Sequence, residues 1–561
     1  MIPVFYLSYR TQYPDRESLS QKCRKSDIIE VINIKEEQMP FRELNRQQIW
    51  MLPPTLDELI PNDHPARFIA AFVDSLDKSF WDKLGIGIDG EPLGAPAYHP
   101  RALLGVWLYG FMTSTRSSRK LETACRDQIP YLWLTGWQRP DHNTLWRFYK
   151  EHRKNMRHLF KLTVRTAVKL DLVDLAVQAI DGTKIAGNAS RDRTYDRKGL
   201  KRLLERTDKA INELEQDNNA GNDAFFVHLP EKLRKAKYLR NQVKEALDQL
   251  ADKDGQKRIN LTDNDAVFMK SRQGIVTGYN MESVASPLKT NKTKTSGMLL
   301  TGLNVVSEQD DHYQLIPMLK QSEEMTGKLV EITLADAGYH SGANLAICEQ
   351  RKQMIIMPES QEQRLKSPYH KDNFIYNSHT DCYGCPKNQS LRYMETRTIA
   401  NKEVRVYGGL SAVCRKCPAF GKCTKNRYRG REILIGQHDE ELRRHRTRML
   451  TEKAKIIYKR RKEIIEPAFG IIKEQMGVRR FLLRGLDNVK NEAETLATAF
   501  NLRTLCTIFN SGAFEKRRLL IVSMSEIGII VRNLFVFLCI SRNINKMKGF
   551  SFIPTTLFES Y

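Results

Sequence analysis

Two alternating apolar segments of the chain each end in an aspartate, and this feature restricts the possible folds most. The segment LVEITLAD forms an apolar face on a predicted strand, and Asp336 continues that face. The segment VDLAVQAID has the same pattern, with Asp181 in its last position. If the two strands pair, the aspartates lie side by side, where like charges repel and are costly to bury. The pattern therefore predicts a divalent cation, Mg²⁺ or Mn²⁺, held by these carboxylates.

The segments around these two strands predict a mixed α/β domain. We expect strands at 173–181, 274–286, 297–307, 329–336 and 353–358, and helices at 312–325 and 343–352. Three strands followed by two helix–strand units are typical of mixed α/β folds. Residues 192–262 interrupt the order, and their leucines at helical spacing predict a helical hairpin or a short coiled coil. A cysteine-rich segment, 360–452, interrupts it a second time.

The sequence pattern divides the chain into six parts. They are a poorly defined tail (1–38), a helical part (39–172), the first part of the α/β core (173–359), the cysteine-rich insertion (360–452), a closing helical part of the core (453–511) and an uninformative tail (512–561). A chain of 561 residues is long enough to bury a substantial core in two or three such domains.

The chain is strongly basic, with 90 Lys and Arg against 66 Asp and Glu and a net charge of +24. An excess of this size predicts a polyanionic partner. Nucleic acid is favoured over a membrane surface, because the basic residues are not concentrated on one amphipathic helix. The most apolar segment, 527–540, is too short to span a bilayer and contains Arg532. Since no convincing secretory signal is present, we expect an intracellular protein that binds nucleic acid.

Short helices joined by tight turns are predicted between residues 63 and 172. Asp141 is the expected N-cap of one of them. Basic side chains are frequent in this part, which suits a helix-turn-helix reader of DNA and a plain helical bundle with a basic exterior equally well. The basic residues concerned are Arg116, Arg119, Lys120, Arg147, Lys150 and Arg153.

Five of the ten cysteines fall between residues 382 and 423, in the motifs CYGC and CRKCPAFGKC. Two CxxC pairs at this separation predict a tetrahedral zinc site, because each pair supplies two thiolates from one turn. Such a closed site would stabilise the insertion without taking part in chemistry. Reduced core cysteines are the alternative interpretation. The preferred ligands are Cys385, Cys414, Cys417 and Cys423, with Cys382 as the alternative to Cys423.

A third carboxylate is predicted in the closing helical part. Glu466 and Lys473 are seven residues apart and therefore share one helix face, separated by about 10.5 Å along the axis. The acid could complete a metal site while the lysine contacts a phosphate. Pro467 predicts either a kink at this point or a helix that begins there with Glu466 as its cap. Glu463 is the alternative for the third acid.

Three motifs give the chain a resemblance to a known family. AIDGTKI, ADAGYHSGANL and KRRKEIIEPAFGIIKEQMGVRRFLLRGL resemble the three signatures of bacterial insertion-sequence transposases of the DDE class, and most closely those of the insertion-sequence family eleven-eighty-two. The likeness extends over residues 39–510. It implies an α/β ribonuclease-H-like catalytic core with a long insertion, here preceded by an all-helical DNA-binding domain. It also implies that Asp181, Asp336 and Glu466 form a catalytic triad that binds Mg²⁺ or Mn²⁺.

The resemblance further implies metal-dependent cleavage and strand transfer at the terminal inverted repeats of the chain's own insertion sequence. The partner would be double-stranded DNA, at the transposon ends and at the target. A homodimer is expected because two ends must be brought together, and the location would be the bacterial cytoplasm, at the nucleoid. Residues expected to contact DNA are Tyr458 and Arg461, which loosely match a tyrosine and an arginine of the family, together with Lys473, Arg479, Arg480, Arg484 and Arg147.

Two other functions fit the same sequence. A metal-dependent nuclease that cuts DNA without joining it would use the same acids. A catalytically inactive, zinc-containing DNA-binding protein would keep the basic surface and the cysteines, while its acids would have structural roles. Only this second alternative predicts that replacing Asp181 by asparagine leaves every activity intact.

Overall fold

The computed structural model describes most of the chain between residues 55 and 511. The described ranges are 55–88, 97–220, 231–252, 257–271, 274–289, 297–359, 367–399 and 402–511. The predicted tails, 1–38 and 512–561, and the apolar segment 527–540 lie outside them. In the described ranges, no helix combines the length and the apolar character needed to cross a membrane.

Helices form the described part of the chain before the first strand, as the sequence predicts. They are α1 (Pro65–Asp74), α2 (Lys78–Lys83), α3 (Pro100–Met112), α4 (Ser118–Asp127), α5 (Ile129–Leu134), α6 (His142–His152) and α7 (Met156–Lys169). A proline opens α1 and α3, where its missing N–H has no helical partner to lose. Asp141 caps α6 by accepting a hydrogen bond from the backbone N–H of Thr144, which confirms the predicted cap.

A six-stranded sheet lies at the centre of the fold, and a separate two-stranded sheet lies beside it. The strands are β1 (Val177–Ala186), β2 (Thr194–Asp196), β3 (Arg258–Asn260), β4 (Val267–Ser271), β5 (Gly274–Pro287), β6 (Met298–Val306), β7 (Ile332–Leu334) and β8 (Met354–Ile356). β5 pairs antiparallel with β4 and β6 along one edge and with β1 along the other. β1, β7 and β8 are parallel. The expected ribonuclease-H-like core is matched by three antiparallel strands, β1, β5 and β6, followed by two parallel ones, β7 and β8, and β4 is a fourth antiparallel strand.

The first core strand extends further than the sequence predicts. Asp181 was expected to end it, but β1 continues for five more residues and Asp181 therefore lies inside the strand. The cause is tertiary pairing, because residues 182–186 remain hydrogen-bonded to β5 in an unbroken register. The local sequence GTKIA, which opens with a glycine, gives no sign of this pairing.

The strand at residues 329–336 is shorter than predicted, since β7 contains only three residues. The chain leaves the sheet directly after it and forms a short 3-10 turn, Ala337–Tyr339. Asp336 caps this turn by accepting a hydrogen bond from the N–H of Gly338 at 2.8 Å. The glycine is thus used in a tight turn, as its position after the aspartate suggests.

Helices cover both faces of the central sheet. One hydrophobic cluster packs side chains such as Phe160 of α7 and Phe500 of the last helix, α16 (Leu486–Asn510), against Ala179. The other packs α10 (Leu315–Thr326) and α11 (Gly342–Gln350) against Ile180 on the opposite face. The first cluster also includes α1 and α3, so the helical part and the sheet share one core.

The polar interruption forms the predicted helical hairpin. Its helices are α8 (Arg197–Ala220) and α9 (Glu231–Asp252). Leu200 and Val243 are buried between them, and ion pairs at 2.6–2.7 Å link Arg240 to Asp208 and Lys237 to Glu215. Leu229, the first residue of the predicted leucine stripe, lies outside the described residues.

The cysteine-rich insertion contains a five-stranded antiparallel sheet and the closing part is helical. The strands are β9 (Ile375–Asn377), β10 (Cys382–Gly384), β11 (Ser390–Ile399), β12 (Lys402–Gly409) and β13 (Glu432–Gly436), in the order β13-β12-β11-β10-β9. The insertion also contains the helices α12 (Ser411–Arg415) and α13 (Asp439–Leu450). The closing part contains α14 (Glu452–Ile464) and α15 (Glu466–Gly470), which precede α16. A π-helical turn, Ile471–Gln475, follows α15.

Candidate active site

The two aspartates predicted to be neighbours lie at the same end of two adjacent strands. β1 and β7 are parallel, and Ala179 lies opposite Leu334. Asp181 and Asp336 each follow two residues later, so the strand register brings them to the same end of the pair. The Asp336 charge acts on Asp181 and helps to raise its pKa. The strand register therefore agrees with the prediction that these acids lie near each other, although Asp336 lies just beyond its strand.

Asp181 has an unusually high pKa for a carboxyl group. Burial is the main cause and raises the pKa to about 6, with further contributions from the charges of Asp336 and Asp311. The guanidinium of Arg461 opposes this shift. Its Nη2 atom lies 2.8 Å from Asp181 Oδ2, and the exposed fractions of the two side chains are 11% and 17%.

Arg461 also connects Asp181 to the predicted third acid. Its Nη1 atom lies 3.9 Å from Glu466 Oε1, so one side chain lies between two members of the predicted triad. Glu466 is the first residue of α15, and Pro467 follows in the first turn. The sequence predicted either a kink or a helix that begins at Pro467 with Glu466 as its cap. The structure shows a new helix after the one that ends at Ile464, but its N-cap is Ile465 and not Glu466. The rival acid, Glu463, is exposed.

Lys473 lies beside the strand that carries Asp181. Its Nζ atom donates a hydrogen bond of 2.5 Å to Thr183 Oγ1. Thr183 is two residues beyond Asp181 and therefore projects from the same face of β1. The lysine therefore lies beside the face of β1 that carries Asp181.

The other basic residues predicted to contact DNA are mostly exposed. Arg479 pairs with Glu474, and the Arg484 side chain donates to the backbone oxygen of Asn188. The backbone of Arg480 forms a β-bridge with Ala186, the last residue of β1. These residues lie where β1 ends, and Arg147 is exposed on α6. Two other residues expected to contact DNA are not exposed: Tyr458 is half-buried against the hydrophobic core, and Arg461 is half-buried beside Asp181.

Two of the basic residues expected on a DNA-reading face do not fit that role. Arg116 is buried, and its Nη1 atom lies 2.8 Å from Glu492 Oε1 on α16. Arg153 donates a hydrogen bond of 2.7 Å to Asn488 on the same helix. Both side chains instead attach the helical part to the closing helix. The prediction of a basic exterior was wrong at Arg116 because charge patterning alone does not reveal a distant acidic partner.

A group of polar residues that the sequence motifs did not reveal lies beside the aspartates. This buried polar cluster consists of Asn280, Glu282, Asp311 and Tyr339. Asn280 donates to Glu282 at 2.7 Å and to Asp311 at 2.5 Å, while Tyr339 donates to the other oxygen of Glu282. Burial, followed by the nearby Asp311 charge, raises the pKa of Glu282 to about 9. The register places Glu282 directly opposite Gly182, and no short motif contains this pairing.

Two family models match the chain. A transposase domain, DUF772, matches residues 54–151, and a transposase DDE domain matches residues 384–506. Together the two matches support a DDE-class insertion-sequence transposase. No curated protein matches it. The transposase DDE match contains Glu466 but neither Asp181 nor Asp336, so those two residues rest on the strand geometry described above.

Membership of this class implies that the transposase acts on DNA and depends on a divalent metal. The residues present fit such an ion, because Asp181, Asp336 and Glu466 offer the hard oxygen ligands that Mg²⁺ and Mn²⁺ prefer. In the described ranges, no group of three or more His, Cys, Asp or Glu side chains already stands in a metal-holding arrangement. Instead, Arg461 supplies the positive charge next to Asp181.

Four of the five clustered cysteines of the transposase face one small cavity. Cys385, Cys414, Cys417 and Cys423 line this cavity of about 30 Å³. The Cys385 sulfur accepts two backbone N–H groups, at 3.2 and 3.4 Å. Burial raises the pKa of Cys423, and the three other thiols raise it further. Cys382 does not line the cavity, and its thiol donates to the Thr380 carbonyl at 3.1 Å. The structure therefore groups the four cysteines that the sequence favoured.

Proposed function

We propose that this transposase cleaves DNA at the terminal inverted repeats of its own insertion sequence and transfers the freed strand to target DNA. Asp181, Asp336 and Glu466 would hold the divalent ions, and the element would belong to family eleven-eighty-two. The observation that carries the proposal is the meeting of Asp181 and Asp336 through the β1–β7 register, with Arg461 connecting Asp181 to Glu466.

The protein side chains would prepare the reaction by position and charge. Bound divalent ions would activate the attacking oxygen and stabilise the leaving oxygen of the phosphodiester. β5 pairs with β1 at Asp181, and Asp181 Oδ1 accepts a hydrogen bond from the backbone N–H of Gly182 at 3.0 Å, so the carboxylate is restrained. Arg461 neutralises Asp181 and lies within reach of Glu466, which keeps repelling acids together. Lys473, held by Thr183, would contact a phosphate of the bound strand.

The DNA would follow the exposed basic residues near the end of β1. Arg479, Arg480 and Arg484 lie there, and their charges suit backbone contacts that do not depend on sequence. The helical part, including the exposed Arg147, would read the transposon end. Two copies of the chain would act together, since both ends of the element must be joined to the target.

A strand-transfer assay tests the proposed function. The full-length transposase is incubated with Mg²⁺ or Mn²⁺, labelled duplexes that end in the inverted repeat of the element, and a supercoiled target plasmid. We expect labelled ends joined covalently to the plasmid, because the freed 3′-hydroxyl attacks target DNA. Nicked or cut end DNA without any joined product would indicate the metal-dependent nuclease. Binding without cutting in both metals would indicate the inactive DNA-binding protein.

Replacing Lys473 by glutamine should weaken binding to all DNA sequences similarly. Loss of one phosphate contact is expected to lower the slope of log affinity against log salt concentration by about one. Fluorescence anisotropy at several salt concentrations measures this slope. Lys209→Gln is the matched control, because Lys209 is exposed on the helical hairpin and pairs only loosely with Glu213 at 3.9 Å. An unchanged slope in Lys473→Gln would exclude the phosphate contact.

We further propose that Cys385, Cys414, Cys417 and Cys423 bind a structural zinc ion. Their thiols line one cavity, and the backbone N–H groups on Cys385 would stabilise its thiolate form. All four tetrahedral positions would be filled by the protein, so the ion would stabilise the insertion rather than act on DNA.

Metal analysis of single variants tests the zinc site. We expect about one zinc ion per chain in the wild type, and close to none in Cys417→Ser, because three thiolates leave the tetrahedron incomplete. Cys382→Ser is the matched control and should retain the zinc, since Cys382 lies outside the cavity. Elemental analysis of the purified proteins measures the content. Loss of zinc in Cys382→Ser, with retention in Cys423→Ser, would favour the alternative ligand set.

A further inference from the structure

Asp311 lies between the two glycines that follow the aspartates. It opens the short 3-10 turn Asp311–Tyr313 and is half-buried. Its Oδ1 atom is 3.2 Å from the position that a β-carbon would occupy on Gly182. Its Oδ2 atom is 3.4 Å from the corresponding position on Gly338. Side chains at those two positions would crowd the carboxylate, so the glycines make room for it.

Oxygen atoms of other residues also lie close to these two glycines. Asp336 Oδ1 is 3.0 Å from the β-carbon position of Gly338. Asn280 Oδ1 and Glu282 Oε1 are 3.2 and 2.8 Å from that of Gly182. Asp311 therefore lies between Asp336 on one side and two other members of the cluster, Asn280 and Glu282, on the other.

Asn280 fixes Asp311 but leaves one of its own atoms without a partner. Its amide nitrogen donates to Asp311 Oδ1 at 2.5 Å and to Glu282 Oε1 at 2.7 Å. The residue is only 1% exposed, and in the described part of the chain its Oδ1 atom accepts no hydrogen bond. A buried carbonyl oxygen left unsatisfied costs about 1–3 kcal/mol. An amide oxygen among carboxylates is an oxygen donor set that suits a hard cation.

The local charges also favour a bound cation. Within the described ranges, Arg461 is the only basic side chain that forms an ion pair with Asp181, Asp336 or Asp311, and it contacts Asp181. Asp336 and Asp311 therefore lie close to one another without a positive partner among the described residues. Their mutual repulsion is costly in a half-buried place unless a cation compensates it.

We propose that Asp311 is a fourth carboxylate of the active site, positioned by Asn280, and that it binds the divalent cation together with Asp336 and Asp181. This inference rests on the proposed function, since it concerns the same ions. It explains why glycine follows each aspartate so closely, and it explains the unsatisfied oxygen of Asn280. The cation would neutralise Asp311, and either the cation or its bound water would satisfy the amide oxygen.

Replacing Asp311 by asparagine tests this role with little change in shape. The substituted amide oxygen can still accept the hydrogen bond from Asn280. We expect Mn²⁺ affinity, measured on full-length protein without DNA by electron paramagnetic resonance, to fall at least about tenfold. Cleavage of end DNA should fall as well, with DNA affinity unchanged. The melting temperature of the metal-free variant should equal or exceed that of the wild type, because one repelling charge is removed.

Asp310→Asn is the matched control, because Asp310 is the exposed neighbour and its substitution changes the same charge. It should keep the wild-type Mn²⁺ affinity, cleavage rate and melting temperature. If Asp311→Asn behaves like this control while Asp181→Asn and Asp336→Asn lose the ion, the fourth carboxylate is excluded and the proposed function stands. If Asp181→Asn itself keeps the ion and cleaves DNA, the proposed function fails.

A second variant covers the case in which Asp311→Asn fails to fold. Gly182→Ala keeps every acid but places a methyl group 2.8 Å from Glu282 Oε1 and 3.2 Å from both Asp311 Oδ1 and Asn280 Oδ1. It should also weaken Mn²⁺ binding at least about tenfold, since the carboxylate must move. Gly87→Ala is its control, because a β-carbon there meets no atom within 4 Å. Unchanged Mn²⁺ affinity in folded Gly182→Ala would overturn the proposal.

Discussion

Asp181→Asn is expected to abolish DNA cleavage and strand transfer while DNA binding is retained. Asparagine keeps the size of the side chain but removes the negative charge that a divalent ion requires. The stabilisation lost in the transition state is several kcal/mol, so the rate should fall at least about 1,000-fold. The fold should survive, because burial and the neighbouring acids already disfavour the charged form of Asp181. Cleavage of labelled end DNA and anisotropy binding on the same protein measure both effects.

Matched variants make the Asp181 result specific. Asp192→Asn removes an exposed acid in the loop after the same strand and should cleave at the wild-type rate. Glu466→Gln should be as inactive as Asp181→Asn, whereas Glu463→Gln should remain active if Glu466 is the third acid. Full activity of Asp181→Asn would show that the acids are structural. If only Glu463→Gln loses activity, Glu463 is the third acid instead of Glu466.

The meeting of Asp181 and Asp336 could be predicted because sheet geometry is periodic. Alternation along each strand places both aspartates on a continued apolar face, and parallel pairing of β1 with β7 then aligns them. An interruption of the helix at Pro467, as a kink or as a new start, was equally predictable, since the missing N–H of proline is a local property of the chain. Both predictions depend only on neighbouring residues and one assumed strand pair.

The acids that sequence analysis missed depend on distant contacts instead. Asp311 stands in the polar loop EQDDHYQ, where any of its acids could be a simple turn residue. Only the fold brings it to Gly182 and Gly338. Glu282 is the only charged residue of β5, which is a detectable signal, because a buried acid needs a partner such as Tyr339. The identity of that partner could not be read from the sequence.

Arg116 shows the same limit for basic residues. A basic side chain between two helices resembles a DNA contact as long as its surroundings are unknown. The structure instead places the Arg116 guanidinium against Glu492, with exposed fractions of 7% and 3% for the two side chains. Its Nη2 atom also donates to the backbone oxygens of Gly477 and Arg480, at 3.2 and 3.1 Å. The residue therefore joins the helical part to the segment that follows Lys473.

Arg116→Met should destabilise the protein by about 3–5 kcal/mol, because it leaves the Glu492 carboxylate buried and without its cation. Burial already raises the pKa of Glu492, and Arg116 opposes that rise. Without the arginine the pKa rises further, so the folded variant favours protonated Glu492. Its stability should consequently fall as the pH increases from 5 to 8. Urea unfolding of metal-free protein at several pH values measures this dependence.

The double variant Arg116→Met/Glu492→Gln should recover much of the lost stability and remove its dependence on pH. Glutamine carries no charge, and its side-chain oxygen can still accept the backbone N–H groups of Leu482 and Leu483, which Glu492 binds at 2.9–3.1 Å. Arg119→Met is the control for loss of a basic side chain, because Arg119 is exposed on α4, and it should change stability by less than about 0.5 kcal/mol. If Arg116→Met and Arg119→Met unfold alike, the ion pair contributes nothing, and the attachment of the helical part to α16 depends on the remaining contacts, such as apolar packing and the Arg153–Asn488 hydrogen bond.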